Sequence, residues 1–244
     1  MDENINDHGA QEYTPTLSSR IENFFYHYKW HTIAVIITLI IATVIGVQMC
    51  SKESYDAYVL YAGGHSVSRK EDTDVAEYVK ITSAIARASE DFNGDGEILP
   101  TLLDLYTPTP EEAETSGKDN LAGFTLENVN TLEYELVSGS DYYLCFISEY
   151  NYNKYKTWDG VLLFTPLSPY VSDGSSVEYY DESAVYLSST AFSDLDGISS
   201  LPPDTLVCLR ALSPVASFFD KDENEEMFRR AEVIIKNILN YGEK

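Results

Sequence analysis

Hydrophobic positions gather first into one block near the N-terminus and then into short runs separated by polar stretches. Between Lys29 and Lys52 lie 22 residues, WHTIAVIITLIIATVIGVQMCS, without a formal charge, and ten of those from Thr32 to Met49 are Ile, Leu or Val. A helix of that length spans about 33 Å, which matches the hydrocarbon core of a bilayer. Each of the ten favours insertion by roughly 0.3–0.6 kcal/mol, so the block predicts a transmembrane helix over 30–51, with Trp30 and Lys52 at its interfaces. Residues 1–29 are mostly polar and acidic, where a cleaved signal peptide needs a short basic leader. The expectation is therefore an uncleaved signal anchor. Met49 is too large for the small residue that lipidation signals carry before their cysteine, which argues against a lipid on Cys50.

Beyond the anchor the period of the pattern changes. YDAYVLYAG reads as a strand ending at Gly63 and Gly64. Asp74 and Glu77 give a capping signal for a helix in which Val75, Tyr78, Val79, Thr82, Ile85 and Ala86 recur at helical spacing to about Glu90. ILPTLLDLY predicts a strand, with Pro100 able instead to open a helical turn. Residues 107–120, TPTPEEAETSGKDN, hold almost no large apolar residue and predict an exposed acidic loop. Val129, Leu132 and Leu136 suggest a short helix ended by Gly139, followed by the strand YYLCFIS. The apolar run VLLFTPL, a Tyr-rich polar excursion from Ser168 to Tyr186 and the strand TLVCLRAL come next. A closing helix puts Phe228, Ala231, Ile234, Ile235, Ile238 and Leu239 along one face and Arg229 and Lys236 on the other.

Short apolar strands alternating with amphipathic helices predict an α/β sandwich over 52–244, its sheet covered by helices and at least partly parallel. The organisation is then a cytoplasmic tail (1–29), a transmembrane signal anchor (30–51) and one extracytoplasmic α/β domain (52–244). Arg20 and Lys29 before the helix, against Lys52 after it, set the N-terminus inside by the positive-inside rule. Ala42 and Gly46, four apart, could let two such helices approach as a homodimer.

Charge narrows the partners. The net charge is −24. Residues 1–29 hold five acids against Arg20 and Lys29, so nearly all of the excess lies in the domain. Nucleic acid is excluded as a partner, because affinity for it comes from Lys and Arg at phosphates. Three cysteines do not make a disulfide scaffold. Cys145 and Cys208 fall inside apolar runs, where a role as small buried hydrophobes is favoured and a bridge is open only if the runs are neighbouring strands.

Much chemistry is missing. His65 is the one histidine after the anchor, which leaves little for a Ser-His-Asp system or a zinc site. There is no Walker loop, dinucleotide fingerprint or GxSxG elbow. Tyr150, Tyr152, Tyr155 and Trp158 either form a platform for sugar rings or complete a core. In DFNGDGEI, Asp91, Asn93 and Asp95 occupy positions 1, 3 and 5 of a calcium loop, Gly96 the sharp turn, and Glu97 can offer its carbonyl. Position 12 is Leu102, so affinity suffers, and the expected Ca²⁺ site (Asp91, Asn93, Asp95, Glu97) falls in the weak range of roughly 0.1–1 mM if Asp104 or a distant carboxylate completes it. The same residues also build metal-free Asx turns.

The segments ENFFYHYKWHTI, AYVLYAG, DFNGDGEI, LEYELVSGSDYYLCF, GVLLFTPL and LPPDTLVCLR, in this order, resemble single-pass membrane-anchored surface proteins of clostridial-type Gram-positive bacteria. SGSDYYLCF followed by GVLLFTPLSPY is similar, more distantly, to part of a type 2 extracellular solute-binding protein. The resemblance implies a cell-surface location and a single periplasmic-binding-protein-like lobe, the domain being too short for two. No functional residue carries over from it. The expected function is a membrane-tethered, non-enzymatic binding or interaction module whose ligand or protein partner is unknown. The alternatives are a cell-envelope hydrolase using carboxylates and an accessory subunit of a membrane transport complex.

Overall fold

The structure, a computed structural model, describes residues 16–50, 55–67, 75–115 and 121–242. Its contacts divide the chain between Glu53 and Ser54 into two compact units.

The first unit holds one helix, α1 (Leu17–Cys50). Its apolar side chains, among them Ile33, Val35, Ile36, Ile37, Leu39, Ile40, Ile41 and Val44, are exposed all round the helix. The hydroxyls of Thr32, Thr38 and Thr43 each donate to the carbonyl four residues earlier, at 3.1, 2.9 and 2.7 Å. Among the described residues no helix is long and apolar enough to cross a membrane. In α1 the side chains described without a break run from Tyr28 to Val44. The rest of the expected anchor, Gly46 included, lies outside them, as does Asp74 of the expected helix cap.

The second unit is mixed α/β. Six strands form one sheet in the order β2-β1-β3-β8-β7-β6. β1 (Ala57–Gly63) lies between β2 (Pro100–Tyr106) and β3 (Leu144–Ser148) and pairs with both in parallel. β8 (Thr205–Leu209), β7 (Ala184–Tyr186) and β6 (Tyr179–Asp181) continue the sheet antiparallel. Pro100 opens a strand, not a helical turn, and its missing N–H is tolerated at the first residue of an edge strand.

Strand alternation sends two residue sets to opposite faces. On one face Val59, Tyr61, Phe146 and Val207 pack with α2 (Val75–Ala88) and α7 (Lys221–Leu239), which contribute Ile81, Ile85, Ala231, Ile234, Ile235 and Ile238, a short α6 (Pro214–Phe219) leading into α7. On the other, Leu60, Cys145, Ile147, Leu206 and Cys208 meet Leu132 and Leu136 of α4 (Leu121–Val137) and Tyr152 and Tyr155 of α5 (Glu149–Tyr155). The closing helix buries the face its spacing predicts, with Phe228 half-buried at the rim.

Two expectations are revised, and one apolar run left without an element is placed. The stretch from 107 is not wholly loop: Thr107 is buried, and Pro110–Thr115 form a short exposed helix, α3, whose Thr109 and Glu112 cap each other's backbone N–H, while 116–120 lie outside the described residues. The helix before Gly139 is long, 17 residues, and closes with the N–H groups of Ser138 and Gly139 both on the Tyr134 carbonyl. The run VLLFTPL is not a sheet strand. Val161–Leu162 (β5) pair only with Thr157–Trp158 (β4) in an exposed hairpin, and Phe164 makes one isolated bridge to Arg210.

Candidate functional site

The DFNGDGEI loop is wound on its own side chains. Asp91 accepts the N–H of Gly94 at 2.6 Å through Oδ1 and that of Gly96 at 2.9 Å through Oδ2. Asn93 accepts from Asp95 and Asp95 from Glu97, both at 2.9 Å. These are successive Asx turns, and they need positive φ at Gly94 (74°) and Gly96 (89°), which glycine takes without a Cβ penalty. The expected ligand residues are thus brought together on one exposed loop. Asp104 is not among them. It lies in β2 opposite Tyr61, four residues or about 13 Å of strand beyond Pro100, and accepts from Ser66 Oγ at 2.9 Å. Leu102 is buried in the core. The loop therefore offers about four oxygens, against the six to eight that calcium takes, and water would supply the remainder. Among the described residues no group of three or more His, Cys, Asp or Glu is placed to hold a metal ion.

A residue that the sequence pattern did not single out fixes this loop. Asp56 has no exposed surface, yet its carboxylate accepts from Phe92 N (2.9 Å) and Asn93 N (3.2 Å) through Oδ1 and from Leu99 N (2.9 Å) through Oδ2. Three backbone donors satisfy a carboxylate that burial would otherwise penalise heavily.

A second site arises from topology. β1, β2 and β3 are parallel, so their carboxyl ends share one edge of the sheet. The chain leaves β1 through α2 on one face and leaves β3 through α5 on the other, the kind of divergence at which open α/β sheets bind ligands. Gly63 ends β1 there and Gly64 follows it, and a Cβ on Gly64 would stand 2.5 Å from the Glu112 carboxylate. Beside them Asn151 Nδ2 ties the strand ends together, donating to Thr107 Oγ1 (2.8 Å), Thr107 O (3.2 Å) and Ser148 Oγ (3.0 Å).

This edge is acidic. The phenol of Tyr61 is pushed up by burial and then by Asp104 and Asp204. Asp204 is itself held above the usual carboxylate range, first by burial and then by Glu112 and Glu149. Glu149 receives Tyr186 Oη at 3.1 Å. His65 Nε2 lies 3.1 Å from Glu77 Oε1, and Ser200 Oγ lies 2.7 Å from the same oxygen. The carboxylate thus stands between serine and imidazole, whereas a nucleophilic serine needs the imidazole next to it. From sequence Asp104 is weighed only as a substitute calcium ligand, and Glu112, Glu149 and Asp204 are not chosen as part of a site.

The aromatic segment divides. Tyr152 and Tyr155 are core residues, their hydroxyls on Asp181 (2.6 Å) and Glu133 (3.0 Å), while Tyr150 and Trp158 remain partly exposed. The four do not form one platform.

No family model, curated protein or solved structure matches this chain.

Proposed function

We propose that this chain is a single-pass membrane protein, with residues 1–29 on the cytoplasmic side, 30–51 spanning the bilayer and 52–244 outside, and that the outer domain is a non-enzymatic binding or interaction module. The observation that carries the reading is α1 itself. It exposes aliphatic side chains all round, and its three threonine hydroxyls are satisfied within the helix, which is what a lipid environment requires of a spanning segment. Labelling with a membrane-impermeant thiol reagent in intact cells tests it, using Ile5→Cys and Thr115→Cys separately in a Cys50→Ser background. Residue 115 reacts and residue 5 does not; the reverse pattern overturns the orientation, and extraction of the protein without detergent overturns the anchor.

The order β2-β1-β3 with an antiparallel neighbour fits our reading of the domain as a single lobe of the solute-binding kind. Its contact surface is then the sheet edge at the carboxyl ends of β1 and β3, whose acids suit a cationic or polyhydroxyl partner. The serine and histidine there both address Glu77, an arrangement that does not activate the serine as a nucleophile. Crosslinking and pull-down of the intact protein from membranes tests the binding reading: a reproducible partner lost on Glu149→Lys supports it, and cleavage of envelope polysaccharide by the purified chain refutes it. The loop at 91–97 we read as a weak calcium site that stiffens the connection from α2 to β2.

A further inference from the structure

The geometry points to Cys145 and Cys208 as a dithiol pair that closes to a cross-strand disulfide when the chain folds in contact with a thiol–disulfide oxidant. The two residues stand directly opposite each other on neighbouring antiparallel strands, both fully buried and both free thiols. Their rung can be identified from its flanks. Arg210 N donates to Tyr143 O at 2.8 Å and Glu149 N donates to Asp204 O at 3.1 Å. Both of these pairs lie an even number of residues from Cys145–Cys208, so the cysteines occupy a hydrogen-bonded rung, where Cα atoms sit about 5.5 Å apart. A disulfide accepts Cα separations of roughly 4.4–6.8 Å. Strand alternation also turns both side chains to the same face, into one cluster with Ile147 and Leu206.

Burial decides when the bond can form. It pushes the Cys145 thiol up to about 12 and holds the Cys208 thiol well above its ordinary value, with Cys145 as a further cause. Since the thiolate is the nucleophile, the finished core is closed to exchange. The reaction belongs to the interval before β8 docks on β3. One cysteine, as thiolate, attacks a sulfur of an external disulfide and releases one thiolate. The second then attacks the mixed disulfide and releases the other. Two external thiols leave carrying the two cysteine protons, and the pair has lost two electrons. Cross-strand Cβ atoms at such a rung lie wider apart than the mean of about 3.8 Å in a disulfide, so the strands must draw together, which makes this bond more reducible than a relaxed staple. The inference rests on the extracytoplasmic placement of the domain only for where the oxidant is met.

Full-length Cys50→Ser chain, reduced and unfolded in detergent with urea, is refolded in glutathione buffer rich in the disulfide form. It is then acid-quenched, alkylated under denaturing conditions and mapped by mass spectrometry. The expected result is a linked peptide pair carrying Cys145 and Cys208, with alkylation of both falling at least tenfold relative to refolding in dithiothreitol. A chain that regains its native circular dichroism with both cysteines alkylated overturns the inference, as does the same result when the folded, reduced chain is cycled through its urea midpoint in that buffer. The two readings fail separately. A bridge on refolding but free thiols in protein acid-trapped from cells removes the extracytoplasmic placement, whereas no bridge on refolding removes the disulfide and leaves the placement standing.

Discussion

Asp56 and Leu99 are bonded in both directions: Asp56 N donates to Leu99 O at 2.8 Å, and Asp56 Oδ2 accepts from Leu99 N at 2.9 Å. The carboxylate's other oxygen takes Phe92 and Asn93, so one buried acid closes both ends of the loop between α2 and β2. Asp56→Ala strips three backbone N–H groups of their acceptor, at about 1–3 kcal/mol for each that stays buried. We expect a loss of about 3–5 kcal/mol in urea unfolding. Hydrogen exchange should quicken at Phe92, Asn93 and Leu99 before other amides, and Asp56→Asn should recover part of the loss.

The calcium site we propose lies on the same loop. With affinity in the range of about 0.1–1 mM, 5 mM Ca²⁺ stabilises the folded state by about 1–2 kcal/mol, a rise of several degrees in the thermal midpoint. The double variant Asp91→Ala, Asp95→Ala should lower the midpoint without calcium, since Gly94, Gly96 and Glu97 lose their acceptors. It should also abolish the calcium-dependent rise. An unchanged rise in the variant, or none in the parent chain, makes the loop a metal-free turn.

Arg210 is 1 % exposed, stacks 4.1 Å from the Tyr143 ring and donates to Gly139 O at 2.8 Å and Tyr142 O at 3.2 Å. No carboxylate among the described residues comes within ion-pair distance of it. Its fork therefore serves the turn after α4. Arg210→Lys keeps the charge but not the planar fork or the stack, so it should cost nearly as much as Arg210→Met, about 2–4 kcal/mol. If Lys restores wild-type stability in urea unfolding, charge alone matters there.

How much of this was legible in the sequence depends on the range of the interaction. The stripe on α7 and the runs of β1, β3 and β8 are local, and each predicted a core element now found with Ile234, Val59, Phe146 and Val207 on one face. The run VLLFTPL gives no element, and its apolar Val161 and Leu162 are exposed in a two-strand hairpin. β6 and β7, three residues each, are too short to show a period. At the candidate sites the Asx residues of the loop were legible because their spacing is local. Asp56, 36 residues from Phe92, was not, nor was the acid cluster, because a domain so rich in carboxylates gives no local sign of which ones the sheet edge gathers.

Titration of that edge gives a pH dependence. Asp204 is raised in the folded state, by burial first and then by Glu112 and Glu149. A raised pKa means that the folded protein binds the proton more tightly than the unfolded chain. Its contribution is therefore favourable below the unfolded carboxylate range and is lost as pH rises through the folded value. Asp204→Asn removes this loss. The variant should gain stability at pH 7, by less than about 1 kcal/mol because the group is partly solvated, and show no gain at pH 3. Urea unfolding at the two pH values checks the sign, and a variant less stable at pH 7 would assign Asp204 a structural bond that outweighs its desolvation.

Two glycines with positive φ separate backbone conformation from packing. Gly94 (φ 74°) has open space where a Cβ would stand, so Gly94→Ala incurs only the left-handed conformation, about 1–2 kcal/mol. Gly197 (φ 90°) lies against α2, and its Cβ would meet Ile81 N at 2.7 Å and the Lys80 carbonyl carbon at 2.8 Å. Those contacts are backbone atoms of a helix that packs on the core through Ile81 and Ile85, so they cannot give way as a flexible side chain would. Gly197→Ala adds overpacking of about 1–3 kcal/mol to a larger conformational cost, because φ 90° with ψ −42° lies outside the left-handed helical well. It should therefore exceed Gly94→Ala in urea unfolding, with lost exchange protection spreading along α2 from Ile81. Equal costs for the two would mean that the segment at Gly197 yields without disturbing α2, and that the close approach there contributes nothing to stability.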